Sequence, residues 1–515
     1  MRYSTKFIRS GITLTAVGLA MRTVAMLFGA FITRTVGAEG MGIYTVVMTV
    51  YSFAVTFATS GISLTVTRLV AEAVGEGRDE DLRGILRSSV AYSLIFSVIS
   101  SAVLFFGAGL IGEYILSDTR TVKAMRILAL SLVGVGLTSV FSGYFIGVRR
   151  VGFNAAVQVL SQVARIALTL VLIMNLSSGS IVESVSALCI GITVTELLSF
   201  ALILIEYLID KRNHRTRVEK KCKTSVEKVA KAAIPLAVSA YVRSILTTIE
   251  HILIPRRLIT KGESSSEAYS HYGLLHGMAL PVVLYPMSPL TSFSGLLVPE
   301  FATDFASGNR ERMSRIASRA LNATLSYSAA CAVLLHFFSE ELGYAVYGSY
   351  DAGRYIAMLA PIVPIMYLDH VTDSVLKGIG EQVYSMWVNI ADSLLSVVLV
   401  FFLIPIFGIT GYAIVIIVME GFNFILSATR LAGRVHFSLK LGTCLIRPLA
   451  CTLASACLAD RLFDFGGSTS PALWLTLKIV FALCIMVALM TASYTLLHRK
   501  ASVSLKNRKA ENSSK

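Results

Sequence analysis

Apolar runs of about twenty residues recur along nearly the whole chain and constrain its fold more than any other feature. A run of that length forms a helix that crosses the ~30 Å hydrocarbon core of a bilayer. The runs are continuous rather than alternating, which excludes a transmembrane β-barrel. Only 15% of the 515 residues are charged, fewer than in a soluble protein of this size. The sequence therefore predicts an all-α polytopic membrane protein.

The apolar runs predict fourteen transmembrane helices. They cover about 9–32, 41–62, 88–112, 123–148, 152–175, 183–209, 232–254, 271–299, 319–341, 353–377, 384–405, 408–430, 441–462 and 471–497. With the N-terminus in the cytoplasm, Lys and Arg concentrate in the cytoplasmic segments, as the positive-inside rule requires. Both termini are then cytoplasmic. The net charge of +15 is explained by topology and by contact with lipid headgroups, so we predict no binding of nucleic acid.

An internal repeat relates the two halves of the chain. The stretch RLVAEAVGEGRDEDLRGILRSSVAYSL (68–94) resembles PEFATDFASGNRERMSRIASRALNATL (299–325) at a shift near 232. Four charged positions then match: Glu72 with Asp304, Arg78 with Arg310, Arg83 with Arg315 and Arg87 with Arg319. Two loops of similar chemistry without duplication are the alternative. Duplication predicts an N-lobe of six helices (1–209), a basic cytoplasmic linker (210–231), a C-lobe of six helices (232–430), a C-terminal helix pair (431–497) and a basic cytoplasmic tail (498–515). Repeated helical bundles are common among transporters that work by alternating access.

Three arginines inside the predicted spans are candidate substrate contacts. Each such charge costs ~2.5–3.5 kcal/mol on insertion scales and usually faces a cavity or a partner. Arg22 and Arg243 lie near mid-membrane on the first helix of each lobe, and Arg165 lies in the fifth span. A guanidinium matches phosphate oxygens bidentately, so we predict that these arginines bind an anionic substrate. The alternative is structural, with Arg22 or Arg243 paired to Glu196 or Asp369, and Arg165 paired to Glu196.

Six carboxylates in the spans are candidates for ion coupling or for ion pairs within a cavity. They are Glu196, Glu250, Asp369, Asp373, Asp392 and Glu420. Asp369 and Asp373 share a helix face at i, i+4, where neighbouring carboxylates raise each other's proton affinity. Partial hydration near the cytoplasmic end is the alternative for this pair. A proton or Na⁺ is the coupling ion that such acids would bind.

No other cofactor is predicted. The seven cysteines form no CxxC pair, and His271 and His276 have a poor spacing for a metal site on a helix. The sequence has no Walker motif, nucleophile elbow or HExxH, and no segment long enough for a soluble catalytic domain. We therefore predict a transporter that is not an enzyme and holds no metal.

Four stretches resemble the stage V sporulation protein B group, which belongs to the polysaccharide-transporter branch of the multidrug/oligosaccharidyl-lipid/polysaccharide (MOP) flippase superfamily. They are 27–77 with RTVGAEGMGIY, 141–168, 272–302 and 375–413. The resemblance implies two six-helix lobes with a final helix pair lining a groove for a polyprenyl tail. It also implies a bacterial plasma-membrane location and a lipid-linked sugar as cargo. Arg22 and Arg243 match by position the cavity arginines of the related lipid II flippases.

Together these features predict a flippase that moves an undecaprenyl-pyrophosphate-linked peptidoglycan or polysaccharide precursor across the plasma membrane. Its expected partners are the lipid-linked sugar, membrane lipids and cell-envelope synthesis proteins. The alternative is a proton- or sodium-coupled multidrug exporter of organic cations, which would use the carboxylates of the second half. A third hypothesis is a membrane scaffold for envelope assembly that docks partners on the basic linker.

Overall fold

The computed structural model describes residues 2–76, 78, 81–148, 150–176, 180–213, 226–463 and 473–491. For residues 2–21, 151–155 and a few single positions, only the backbone is described. Most of the predicted linker and all of the predicted tail lie outside these ranges. Helices account for the regular structure of the described ranges, and no strand occurs in them. The predicted all-α fold class is confirmed.

The helices are numbered here in chain order. They are α1 (Arg2–Thr59), α2 (Ile62–Gly75), α3 (Leu82–Leu110), α4 (Thr121–Ala129), α5 (Leu132–Gly147), α6 (Val151–Leu176), α7 (Ile181–Asn213), α8 (Val226–Lys261), α9 (Ser265–Tyr272), α10 (Leu280–Leu284), α11 (Ser288–Ala306), α12 (Arg310–Phe337), α13 (Ser339–Tyr347), α14 (Tyr350–Leu359), α15 (Val363–Gly378), α16 (Gln382–Phe407), α17 (Ile409–Ala432), α18 (Arg447–Phe463) and α19 (Leu473–Thr491). Short π-helical turns cover Ile111–Ile115, Gly273–Ala279 and Gly442–Ile446.

The number of membrane spans differs from the predicted fourteen. By length and apolarity, the described residues contain 11 candidate spans, or 12 if α4 and α5, bent by 42°, form one broken span. Two predicted spans are merged in α1, where Gly37 interrupts the helix with φ of 75° and ψ of 178°. Only glycine adopts such a conformation readily, so the break follows from the residue type. The helix α8, predicted as the seventh span, is not among the candidates.

Large apolar side chains remain exposed along many of these helices. Phe106 on α3 is 79% exposed and Met174 on α6 is 80% exposed. Side chains of this kind would be unstable in contact with water over so many helices, whereas lipid tails solvate them. The chain is therefore a multi-pass membrane protein.

Packing divides the chain into two compact units. Unit 1 comprises Met1–Ala30, Met278–Val388 and Ile416–Lys515, and unit 2 comprises Phe31–Gly277 and Asn389–Val415. In unit 2, a core of apolar residues from α2, α3 and α5 surrounds Val66, Val140 and Phe145. In unit 1, the corresponding core surrounds Phe301, Leu321 and Val375, from α11, α12 and α15. The lobe boundaries that the sequence repeat suggests stay a prediction.

The C-terminal helices of unit 1 are held by a buried cation. Lys478 on α19 is 5% exposed, and its Nζ lies 2.8 Å from Glu341 Oε1 and 2.7 Å from Asp460 Oδ1. One carboxylate comes from α13 and the other from α18, so a single ammonium joins three helices. A lysine that is so well buried requires this degree of pairing.

Candidate functional site

Arg22 lies next to an aromatic and polar cluster within unit 1. The following residue, Thr23, shares a hydrogen bond of 2.7 Å with the hydroxyl of Tyr285. Arg22 is close enough to act electrostatically on Tyr367 and His370 of α15. Within the part of the chain that the structure describes, the guanidinium of Arg22 makes no ion pair. A positive charge inside a span is therefore left available to an anion.

Two tyrosines of unit 1, one from α12 and one from α15, build the rest of this cluster. Tyr327 of α12 donates a hydrogen bond of 2.7 Å to the carbonyl of Pro286, and Tyr367 donates one of 2.7 Å to the carbonyl of Val283. The rings of Tyr327 and Tyr367 stack with centroids 6.4 Å apart. Both carbonyls belong to the proline-rich stretch around α10, whose helical hydrogen bonds are interrupted at Pro281 and Pro286. The carbonyls of Val283 and Pro286, close to these breaks, accept hydrogen bonds from tyrosine hydroxyls, as expected inside a membrane.

Asp369 and Asp373 lie one turn apart on α15, as predicted, but their surroundings differ. Asp373 is paired with Lys377, with 2.5 Å between Oδ2 and Nζ. Asp369 is close to Ser427 of α17, and its Oδ1 is buried without a hydrogen-bond partner in the described part of the chain. Nε2 of the adjacent His370 is buried in the same way. The pair therefore consists of one neutralised carboxylate and one that retains an unused acceptor.

Arg165 and Glu196 form an ion pair within unit 2. Arg165 Nη2 lies 2.5 Å from Glu196 Oε1, and its Nε donates a longer hydrogen bond of 3.4 Å to Thr195 Oγ1. The two side chains are 30% and 22% exposed. The structural alternative for these residues, an ion pair between Arg165 and Glu196, is therefore present. A role of Arg165 as a substrate contact stays a prediction, and it would require the guanidinium to serve Glu196 and the cargo together.

Arg243 of α8 has a different environment from Arg165. Its side chain is exposed, and it makes no ion pair among the described residues. The neighbouring Tyr241 donates a hydrogen bond of 2.5 Å to Ser60 Oγ, and Ser244 Oγ lies 3.4 Å from Thr56 Oγ1. These contacts hold α8 against the end of α1 within unit 2. Arg22 belongs to unit 1, so its predicted joint action with Arg243 stays a prediction.

Glu250 lies in a buried polar cluster that sequence reasoning did not identify. Its Oε1 accepts a hydrogen bond of 2.7 Å from Ser396 of α16. The next residue, His251, shares a hydrogen bond of 3.0 Å with the Tyr272 hydroxyl, and its ring contacts that of His276 with centroids 4.4 Å apart. Tyr272 and His276 are spaced i, i+4 on one helix face, which is the signal that would have indicated their association.

The two remaining carboxylate candidates lie in different units. Asp392 is on α16 within unit 2, and Glu420 is on α17 within unit 1. Both side chains are half-buried. His271, unlike His276, pairs at the chain surface with Glu263 at 3.1 Å. Among the described residues, no group of three or more His, Cys, Asp or Glu side chains is arranged to hold a metal ion.

Two family models match parts of this chain. The model of the family described as polysaccharide biosynthesis protein matches residues 7–305, and the MatE model matches residues 276–402. Stage V sporulation protein B of Bacillus subtilis (strain 168) is 25% identical over 445 residues, which are 84% of this chain and 85% of that protein. Lipid II flippase MurJ of the same organism is 21% identical over 409 residues, 74% of each chain.

The fold has a close counterpart among solved structures. The structure of lipid II flippase MurJ in its inward closed conformation superposes with a TM-score of 0.70. The alignment covers 94% of this chain and 99% of that one, at 14% sequence identity. At this identity, the similarity establishes a common arrangement of helices.

Proposed function

The chain belongs to the polysaccharide biosynthesis protein family within the MOP flippase superfamily, and from this premise we propose that it flips an undecaprenyl-pyrophosphate-linked sugar across the bacterial plasma membrane. The cargo would be a precursor of peptidoglycan or of another envelope polysaccharide. We place both termini in the cytoplasm, in line with the distribution of Lys and Arg. Transport of this kind needs no catalytic group or resident cofactor.

The main support for this proposal is the lack of an ion pair at two arginines. Arg22 and Arg243 retain guanidinium groups without an ion pair in the described part of the chain, although each lies in a predicted span. Leaving an arginine unpaired in a membrane is costly unless it meets water or an anion. A guanidinium binds phosphate through two parallel hydrogen bonds, and a lipid diphosphate supplies the oxygens for them. Each arginine would therefore bind a phosphate of the cargo during its passage.

The remaining steps follow from the physical nature of the cargo. The polyprenyl tail would stay in the bilayer, while the polar sugar crosses between the lobes in a hydrated space. Alternating access would close one side before the other opens, as in other repeated transporters. Membrane potential, a proton or Na⁺ would reset the empty protein. An ion site could be built on Glu250 or Asp392 in unit 2, or on Asp369 or Glu420 in unit 1.

Alanine substitution of the two arginines tests the anion-binding role. We expect Arg22→Ala and Arg243→Ala each to lower the initial rate of flipping of a lipid-linked sugar by about tenfold or more, because each removes a charge-assisted contact. The measurement is leaflet accessibility of the cargo in reconstituted vesicles. The matched control is Arg126→Ala. Arg126 lies at the end of its predicted span (123–148), where water reaches the guanidinium, and it packs over the ring of Phe105 at 6.0 Å, so its removal should leave the rate near that of the wild type. Full activity of the Arg22→Ala/Arg243→Ala protein would contradict the proposal.

A multidrug exporter is the second candidate function, and two observations favour it. The MatE family model matches residues 276–402. Glu250 is a carboxylate with no ion pair in the described part of the chain and is held by Ser396 next to two histidines, which suits a proton or a cation better than a phosphate. Robust, cation-selective dye efflux from cells or vesicles, lost in Glu250→Gln, would favour this function over the flippase.

A further inference from the structure

A short extended segment runs along α12 within unit 1. Residues 436–440 adopt no helix, and they connect α17 to the start of the C-terminal helix pair. Their side chains alternate, as in a strand. Phe437 and Leu439 pack against the apolar core of unit 1, whereas His436, Ser438 and Lys440 are exposed.

Hydrogen bonds fix this segment on one face of α12. Ser314 donates to the carbonyl of His436, and Ser318 Oγ accepts from the Ser438 amide at 3.1 Å. Asn322 donates to the Ser438 carbonyl at 2.7 Å and accepts from the Lys440 amide at 2.8 Å.

The spacing of these contacts explains why they repeat. Four helical residues advance about 6.0 Å and two extended residues about 6.6 Å, so polar residues at i, i+4 and i+8 stay in register with every second residue of the segment. The segment is therefore rigidly held by the helix.

Three cations and a histidine lie on or beside this segment. Arg315 and Arg319 directly follow Ser314 and Ser318, the two serines that bond the segment. Each arginine therefore projects about 100° further round α12 than the serine before it. His436 and Lys440 project outward from the segment itself. All four side chains are exposed, and none makes an ion pair among the described residues.

Three neighbouring arginines of unit 1, in contrast, are paired with carboxylates. Arg312 is paired with Glu300 at 3.1 Å and with Asp304 at 3.0 Å. Arg430 and Arg434 both bind Glu381, each at 2.8 Å. Among the described residues, only part of the local basic charge is thus neutralised by carboxylates, and Arg315, Arg319 and Lys440 belong to the part that is not.

We propose that Arg315, Arg319, His436 and Lys440 form a docking site for the diphosphate of the lipid-linked cargo at the membrane surface. The proposal rests on the proposed function and adds a second, peripheral contact to it. The sequence predicts that a membrane span begins at residue 319, so these side chains lie at headgroup depth. They would hold the diphosphate before the sugar enters the protein.

The arrangement favours a lipid diphosphate over an ordinary phospholipid. A guanidinium fork occupies two oxygens of one phosphate, so two arginines one helical turn apart have forks for two linked phosphates. A phospholipid with a single phosphate satisfies one fork only. Because the hydrogen-bonded segment fixes the backbone that carries His436 and Lys440, less ordering entropy is lost when the headgroup binds.

The internal repeat provides a matched control. Arg83 and Arg87 on α3 are the repeat counterparts of Arg315 and Arg319, with the same i, i+4 spacing and similar exposure. On the same face of α3, Leu94 is 38% exposed and Val98 is 51% exposed. This pair therefore lies above a stripe that contacts lipid tails, and it can attract anionic phospholipids in general.

Binding of undecaprenyl diphosphate to the full-length protein in neutral phosphatidylcholine nanodiscs tests the site. All variants carry Arg22→Ala/Arg243→Ala as the background, so that the binding that remains measures the proposed surface site alone. We expect Arg315→Gln/Arg319→Gln to weaken binding about tenfold or more, and Lys440→Gln to weaken it less. Arg83→Gln/Arg87→Gln should stay within about twofold of the background. Equal losses from both arginine pairs would overturn the proposal, as would equal affinity for phosphatidylglycerol or undecaprenyl monophosphate.

A transport measurement separates this site from the proposed function. In reconstituted vesicles, Arg315→Gln/Arg319→Gln should raise the half-saturating cargo concentration about tenfold and leave the maximal rate unchanged, because docking precedes translocation. If the background protein binds diphosphate as expected but the wild type flips nothing, the proposed function fails and the docking site stands. If the wild type flips cargo and the substitutions change neither binding nor half-saturation, the docking site fails alone.

Discussion

At the scale of single residues, the charges in the predicted spans differ in whether a partner satisfies them. Arg165 has Glu196, and Asp373 has Lys377, whereas Arg22 and Arg243 have no carboxylate partner in the described part of the chain. A charge inside a membrane is tolerated when an opposite charge or water satisfies it. Where no carboxylate is present, a bound anion can take its place.

The Arg165–Glu196 pair yields a prediction about stability. Arg165→Met or Glu196→Met should each lower the free energy of unfolding by about 2 kcal/mol, between the values for surface and buried pairs, because each leaves a half-buried charge unpaired. The double variant should be more stable than either single one. Thermal unfolding in detergent measures this. The exposed pair of Arg68 and Glu72 is the control, and its removal should change little, since the side chains are 77% and 48% exposed.

The same variants distinguish the two roles of Arg165. If the arginine only stabilises the bundle, the double variant should flip cargo at the wild-type rate. If it also contacts the cargo, flipping should be lost while stability is retained. A double variant that unfolds at a lower temperature than both single variants would contradict the coupling that the 2.5 Å contact implies.

The sequence predicted the positions of these charges more readily than their partners. An arginine or glutamate in an apolar run is visible directly. The pair of Arg165 with Glu196 was one of two alternatives for these residues, which are 31 positions apart, and only the packing of α6 on α7 shows that they pair. The cluster around Glu250 was missed. Its members come from α8, α9, the following π-helical turn and α16, and sequence spacing says nothing about contacts across four segments.

At the scale of elements, close helix packing depends on glycines that face a neighbouring backbone. A Cβ on Gly42 would lie 1.9 Å from the carbonyl oxygen of Tyr269, and one on Gly273 would lie 2.1 Å from that of Ala38. The second part of α1 and the end of α9 therefore approach backbone to backbone within unit 2. In membranes, such approach between small residues replaces the hydrophobic effect as a source of helix association.

This packing predicts that two glycine substitutions differ strongly in their effect on the free energy of unfolding. Gly42→Ala should lower the free energy of unfolding by about 1–3 kcal/mol, because the new methyl group overlaps a backbone oxygen that cannot move aside freely. Gly421→Ala on α17 is the control: nothing lies within 4 Å of the added carbon, and alanine favours the helix. Thermal unfolding of both variants in detergent makes the comparison. Equal stability of the two variants would show that the helices can separate at no cost.

Element boundaries were predicted with uneven success, for identifiable reasons. Most of the predicted spans overlap a helix, because a long apolar run has few other solutions in a bilayer. The extended segment at 436–440 was not predicted, since five alternating residues between two spans resemble an ordinary loop. Its conformation depends on Ser314, Ser318 and Asn322, more than a hundred positions away.

At the scale of the whole molecule, the fold and the family agree with the expectation from the sequence. The proposed cargo is inferred from the chemistry of the arginines. The family match, the relatives and the superposed flippase fold all point to a transporter of the MOP superfamily. A lipid-linked diphosphate is the cargo that the unpaired arginines favour. The buried polar cluster around Glu250 is a reason to test ion coupling in the same preparation, by varying Na⁺ and pH.

The most direct test of the central claim is the leaflet accessibility of an undecaprenyl-pyrophosphate-linked sugar over time, in vesicles that contain the purified full-length protein. We expect cargo placed in one leaflet to become accessible in the other much faster than in protein-free vesicles, and we expect Arg22→Ala/Arg243→Ala to return the rate to the protein-free level. A wild-type rate equal to that of protein-free vesicles, with the protein shown to be folded, would contradict the account.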